Sequence, residues 1–205
     1  MPLTAQQGYA IREEHAGVRE AAVCAAHGLV QRGGSQTKVD GENSTERKSI
    51  KNAKGASTQV HLTTQKKFID TLSAPQEFIK RFCGSPDLDN RGIDRYYANE
   101  IDTELTQEFI TFLEDNKKRI IDLVISNGCG ITSVVYRDIT NEIEYELTYE
   151  DILRKVESCR WVMKKGGIHL KDSNNKTYFH LQREGKRNPR NRYNILFHIH
   201  RALFL

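Results

Sequence analysis

The chain has 205 residues, 38% hydrophobic and 28% charged, with a formal net charge of +4, a balance that fits a soluble globular protein with a substantial core and argues against a disordered chain. No apolar run approaches the roughly 18 residues of a membrane span, the opening MPLTAQQGYAIREE lacks the basic and apolar regions of a signal peptide, and Cys24, Cys83, Cys129 and Cys159 stand without CxxC or Cys/His spacing, so reduced thiols are expected in place of disulfides or zinc. The charge is uneven: residues 1–69 carry a balance of +4, residues 70–160 one of −8, and residues 161–205 one of +8, so both ends suit a polyanion.

From Thr4 to Arg32, apolar positions at Tyr9, Ala10, Ala16, Val23, Ala26 and Val30 predict a helix closed by Gly33-Gly34. Its first half carries Glu13 and Glu14. Strands are predicted over 35–39 and 45–52 around a turn at 41–43, and a short strand over 58–62 follows the loop AKGAS. In that strand Gln59 and His61 would share a face, and Lys54 in the loop is a candidate phosphate contact. Short helices are expected over 64–72 and 75–82, with Pro75 opening the second. Residues 84–104 read as loop; the Asp87, Asp89, Asn90 and Gly92 group lacks the closing glutamate of a calcium loop. Phe109, Phe112, Leu113, Ile120, Ile121, Val124 and Ile125 form one stripe of a helix over 105–126. Strands over 131–137 and 141–147 follow, the second with Glu142, Glu144 and Glu146 on a solvated outer face. Thr148 and Asp151 then predict the N-terminus of a helix over 149–156.

The basic end supplies a candidate for recognition. IHLKDSNNKTYFHLQ predicts a hairpin of strands 167–171 and 177–182, followed by an arginine-rich loop. A two-stranded ribbon fits the major groove, so Gln182, Arg183 and Arg187 are candidates for reading bases. Lys171, Lys176, Lys186 and Arg190 suit phosphates. Residues 193–205 are apolar and are expected to return to the core. His198 and His200 share a face there without a third ligand.

The chemistry concentrates between Lys38 and Asn52, KVDGENSTERKSIKN. Asp40 ends one predicted strand, while Glu46 and Lys48 stand two apart on the next and share a face with Ile50. Two carboxylates and a lysine at a strand pair can hold a hard cation and orient water on a phosphodiester. This arrangement resembles the active site of the PD-(D/E)XK nucleases, which include most type II restriction endonucleases, although Val39 stands where a proline often precedes the aspartate. The frame Ser49-Ile50-Lys51 resembles variants in which the motif's acid is replaced, so Lys51 competes with Lys48 for the catalytic role.

The resemblance implies an α/β (α+β) fold, with a central mixed β-sheet flanked by helices, in one nuclease domain over 1–205. Residues 1–72 would carry the catalytic core and 161–205 the recognition element. It further implies Mg²⁺ held by Asp40 and Glu46 and a glutamate from the N-terminal helix (Glu13 or Glu14); the face that Gln59 shares with His61 is read as a candidate catalytic one, where Gln59 would orient a water or touch the backbone. The expected activity is site-specific cleavage of double-stranded DNA by a cytoplasmic homodimer of prokaryotic or phage origin. A homing or phage nuclease, a junction resolvase and a non-catalytic DNA-binding protein are the alternatives.

Overall fold

A computed structural model describes residues 18–32, 38–185 and 193–205. Its first half comprises α1 (Glu20–Ala26), β1 (Val30–Gln31), β2 (Gly41–Glu42), β3 (Arg47–Ala53), β4 (Ser57–Thr63), α2 (Gln65–Leu72), α3 (Gln76–Cys83) and α4 (Pro86–Asp89). The second comprises α5 (Thr103–Asp115), α6 (Lys117–Ile125), β5 (Ser133–Asp138), β6 (Ile143–Thr148), α7 (Tyr149–Glu157), β7 (Arg160–Lys164), β8 (Gly167–Lys171), β9 (Thr177–Arg183) and β10 (Ile195–His200).

The expected mixed sheet is present, with strand order β1-β2-β3-β5-β6. β3 and β5 run parallel, from Lys48 opposite Ser133 to Ala53 opposite Asp138, and the remaining pairs are antiparallel. A second sheet, wholly antiparallel, has the order β4-β10-β9-β8-β7. The sequence reading had one sheet; β3 and β4 are joined by a short turn yet belong to different sheets. They therefore splay apart and leave a cleft between them.

Successive side chains of a strand point to opposite faces, so the two faces of each sheet feed different environments. Ala53, Val134 and Tyr136 of the mixed sheet, and Ile168, Leu170, Phe179, Leu181, Phe197 and Ile199 of the antiparallel one, join α2, α3, α5, α6 and α7 in one large core. The opposite face of the mixed sheet contributes Ile50 and Val135 to a small cluster with Val23, Cys24 and Leu29 beneath α1. β5 is thus covered on both faces, as a central strand with a parallel partner usually is.

Several expected boundaries move. The N-terminal helix ends at Ala26 instead of Arg32, because Gly28 takes φ +64°. The Leu29 and Gly28 amides return to the carbonyls of Cys24 and Ala25 at 2.8 and 3.3 Å, the pairing of a Schellman close. Val30 and Gln31 are then an edge strand. Of the strand expected over 35–39, residues 35–37 lie outside the described residues, and 38–39 belong to no strand. The expected turn at 41–43 is β2, with Gly41 opposite Lys48 and Glu42 opposite Arg47. The turn lies one step later, where Asn43 Oδ1 accepts from the amides of Thr45 and Glu46, each at 2.9 Å. The helix expected over 105–126 breaks at Asn116, whose side-chain amide donates to the Phe112 carbonyl at 2.9 Å. β7, to which the sequence reading assigned nothing, closes the antiparallel sheet and buries Trp161.

Gly41 decides how closely α1 seats on the mixed sheet. A Cβ there would stand 2.5 Å from Cys24 Sγ and 3.2 Å from Leu29. Gly41→Ala is therefore expected to lower stability by about 1–3 kcal/mol through overpacking. Thermal melting should show the loss, and adding Cys24→Ala should recover most of it.

Candidate active site

Asp40 directly precedes β2. Val39 is buried in the core, and the Asp40 amide donates to the Lys48 carbonyl at 2.9 Å. β2 pairs with β3 only as far as Lys48, so the next edge amide, Ile50, needs another acceptor. Asp40 provides it: Oδ2 accepts from Ile50 N–H at 2.6 Å, from Lys51 Nζ at 3.0 Å and from Ser49 Oγ at 3.3 Å. Lys51 Nζ also donates to the Ile50 carbonyl at 3.2 Å. The carboxylate and the ammonium are thereby fixed side by side at the open edge of β3.

The cleft beside this pair has a volume of about 700 Å³ and is lined by Glu20, Ile50, Lys51, Asn52, Thr58 and Gln59. Glu20 comes from the first turn of α1. Burial and then the negative charge of Asp40 push its carboxyl up to about 7, while Lys51 pulls the other way. Further along β3, Asn52 also lines the cleft, and its Oδ1 is buried without a hydrogen-bond donor. Carboxylates that repel one another, beside an unused oxygen, form a hard-donor set that a divalent cation would satisfy. Among the described residues no three His, Cys, Asp or Glu side chains form a metal cage. Mg²⁺ does not need one, because one or two carboxylates with waters and substrate phosphate commonly hold it.

Lys38 supports this geometry from behind. Its Nζ donates to the carbonyls of Val60 and Val124 at 2.9 and 2.8 Å and to His61 Nδ1 at 3.0 Å, tying the approach to Asp40 onto β4 and the end of α6. Burial, and then repulsion by Lys51, lower its pKa to about 8. Because Lys38 can only donate, His61 accepts at Nδ1 and carries its proton at Nε2.

Glu46 and Lys48 are placed elsewhere. Glu46 sits in the turn before β3. The Lys48 side chain is buried and reaches the other way, with Nζ 2.8 Å from Glu146, 3.2 Å from His27 Nδ1 and 3.6 Å from Glu46. The face of β6 expected to be solvated is partly covered instead: Glu144 pairs with His27 Nε2 at 2.6 Å, and Glu146 also accepts from Ser133 Oγ at 2.5 Å. Burial disfavours ionised Glu146, but the hydrogen bonds from Lys48 and Ser133 outweigh it and lower its pKa.

Gln59 lines the cleft, but His61 does not share its face. A bulge places His61 opposite Phe197 and Gln59 opposite His198, and the extra residue turns one side chain inward and the other outward. Glu13 and Glu14 lie outside the described residues; Glu20, further along the same predicted helix, is the glutamate brought to the cleft. The sequence reading passed over Glu20, Lys38 and Asn52. The only signal for Glu20 was its place six and seven residues beyond the pair it did consider.

The expected recognition ribbon forms, but it does not project. β9 lies between β8 and β10, so both of its edges are paired and it cannot enter a groove as a free two-stranded element. Gln182 bonds His180 and His198 at 3.3 and 3.0 Å. Arg183 Nη1 donates to the carbonyls of Phe82, at 3.0 Å, and Tyr96, which ties β9 to the end of α3 and the loop after α4. Lys171 is held by Asn175 at 2.7 Å in the hairpin turn, while Lys54 and Lys176 are exposed. Lys186, Arg187 and Arg190 lie outside the described residues.

No protein-family model and no curated protein sequence matches the chain. Among solved structures it is similar to the restriction endonuclease MspI in complex with its cognate DNA, with a TM-score of 0.49 and 9% sequence identity, over 83% of this chain and 69% of that one. Among the described residues no helix is long and apolar enough to cross a membrane, and all four cysteines are free thiols.

Proposed function

We propose that the protein is a Mg²⁺-dependent endodeoxyribonuclease that hydrolyses phosphodiester bonds in the cleft between β3 and β4. The observation that carries this reading is the contact of Asp40 with Lys51 at the open edge of β3, with Glu20 and Asn52 facing the same cleft. Asp40 and Glu20 would hold the ion, which when bound neutralises charge developing on the phosphate and the departing oxygen. Lys51, fixed by Asp40 and the Ile50 carbonyl, would orient the attacking water and add positive charge beside the phosphate. Asp40 and Lys51 were both sequence candidates; Glu46 and Lys48 drop out of the proposed set because their side chains are engaged elsewhere.

We extend the reading to site-specific cleavage of double-stranded DNA by a cytoplasmic homodimer of the type II restriction class, one chain forming one nuclease domain. Two copies would supply one site to each strand and imply a two-fold symmetric target. The test is digestion of a large sequenced DNA with purified protein and Mg²⁺, against an EDTA control. Discrete, Mg²⁺-dependent fragments with a common end sequence are expected. Absence of cleavage by folded protein on unmodified DNA would sink the assignment and favour a non-catalytic DNA-binding protein.

A further inference from the structure

The second sheet has an unusual composition. None of β4, β7, β8, β9 and β10 contains Asp or Glu, and together they hold five of the chain's seven histidines, with Arg160, Lys164, Lys171 and Arg183. His61 is turned inward, but His169, His180, His198 and His200 stand half-buried on the face opposite the core. The strand registers align a single row across all five strands: Gln59, His198, His180, His169 and Val162. That row starts in the candidate active site, because Gln59 lines the cleft with Lys51.

The rings form one assembly. His180 stacks on His198 with centroids 4.4 Å apart and on His169 at 5.2 Å. Its Nδ1 lies 2.7 Å from His200 Nε2, and Gln182 bridges His180 and His198. Each neutral ring carries one N–H, so whichever way Gln182 is oriented the chain His200–His180–Gln182–His198 runs in one direction. One end then offers a donor to solvent and the other an acceptor. Burial, and then the neighbouring rings, push His198 and His200 down to about 4, and His169 likewise, so at neutral pH the face is uncharged and polar. Arg160, Lys164 and Lys171 stand at its far side and Lys176 at the hairpin tip.

We infer that this histidine-lined face is a DNA-contacting surface along which a strand leaving the cleft at Gln59 is held. The inference rests on the nuclease reading for the identity of the polymer, and on geometry and charge for the face itself. The absence of carboxylates leaves nothing on these strands to repel phosphate, and the flanking cations supply the salt-dependent attraction that backbone contacts need. Planar rings with unused nitrogens suit sugar and base edges at short range. A bound peptide would instead be expected at a sheet edge, where unpaired backbone groups are available.

The experiment measures binding of a short fluorescein-labelled duplex by anisotropy in EDTA, using His169→Gln, His198→Gln and Lys164→Glu/Lys171→Glu variants of the full chain, alongside histidine-ring NMR of the wild type. The glutamine variants should weaken binding about tenfold each, and the charge reversal should flatten the salt dependence. On adding duplex, the ring resonances of the four outward histidines should shift and that of His27, which follows α1 and packs against the mixed sheet, should stay. The ring spectra keep the test valid where a variant does not fold. Normal binding by folded variants with unmoved ring resonances overturns the face and leaves the nuclease reading standing. Binding that depends on the face without Mg²⁺-dependent cleavage supports the face and defeats the nuclease reading. A wild type that neither binds nor cuts DNA overturns both.

Discussion

Asp40→Asn should reduce Mg²⁺-dependent DNA cleavage by at least about 10²–10³-fold, the size of effect seen when one preorganised electrostatic group is removed from a reacting centre. The substitution keeps the shape of the side chain and can keep an acceptor for the Ile50 amide, so the edge of β3 should stay in place. What it removes is the charge that would hold the ion and that fixes the Lys51 ammonium at 3.0 Å. Lys51→Met should produce a loss of similar order, and the double variant should be little worse than either single one, since both act on one unit. Glu46→Gln, in the turn before β3, should leave cleavage within about threefold of the wild type on the same scale. The check is single-turnover cleavage of a defined duplex, with melting and duplex binding measured in parallel. Full activity in a folded Asp40→Asn variant would remove the cleft between β3 and β4 from the mechanism.

Local features were legible in the sequence because local chemistry fixes them. Thr64 and Thr148 cap their helices by accepting from Lys67 and Asp151 amides, and the β8–β9 pairing follows from two alternating runs around a polar turn. The failures are non-local. Nothing near Lys48 in the chain announces that Glu146, on a strand reached through β5, will meet it, so two reasonable lysines stayed open. Residues 45–52 hold a single apolar residue, Ile50, so the pattern does not say which face α1 will cover. The bulge in β4 that turns His61 inward depends on β10, more than 130 residues away. Gly28 was missed in favour of Gly33-Gly34, since a glycine inside an Ala-rich stretch ends a helix only if the following chain has somewhere to pack; here Leu29 packs with Cys24. The candidate site was thus half legible: Asp40 and Lys51 by spacing, Glu20 and Asn52 only once the two sheets part.

Replacing Lys48 should reveal a structural group, and replacing Glu146 should reveal what Lys48 needs. Lys48 is 4% exposed, and its ammonium has Glu146 at 2.8 Å, while Glu146 itself is about one-third exposed. Breaking a fully buried pair from one side costs about 3–5 kcal/mol, because the remaining charge is left uncompensated. Partial exposure of Glu146 reduces this, so Glu146→Gln should cost about 2 kcal/mol and lower the melting temperature by roughly 4–8 °C in a chain of this size. Lys48→Met takes the buried charge away and leaves Glu146 with Ser133, His27 and water, so its cost should be smaller. Lys48→Met/Glu146→Gln should accordingly melt above Glu146→Gln alone, which is the sign a simple sum of two lost contacts cannot give. The same Lys48→Met protein separates the two lysines that spacing left open. With the fold retained it should still cleave DNA, whereas Lys51→Met should not; the reverse pattern would move the proposed chemistry to the face of the mixed sheet beneath α1, where Glu144, Glu146 and His27 already surround Lys48.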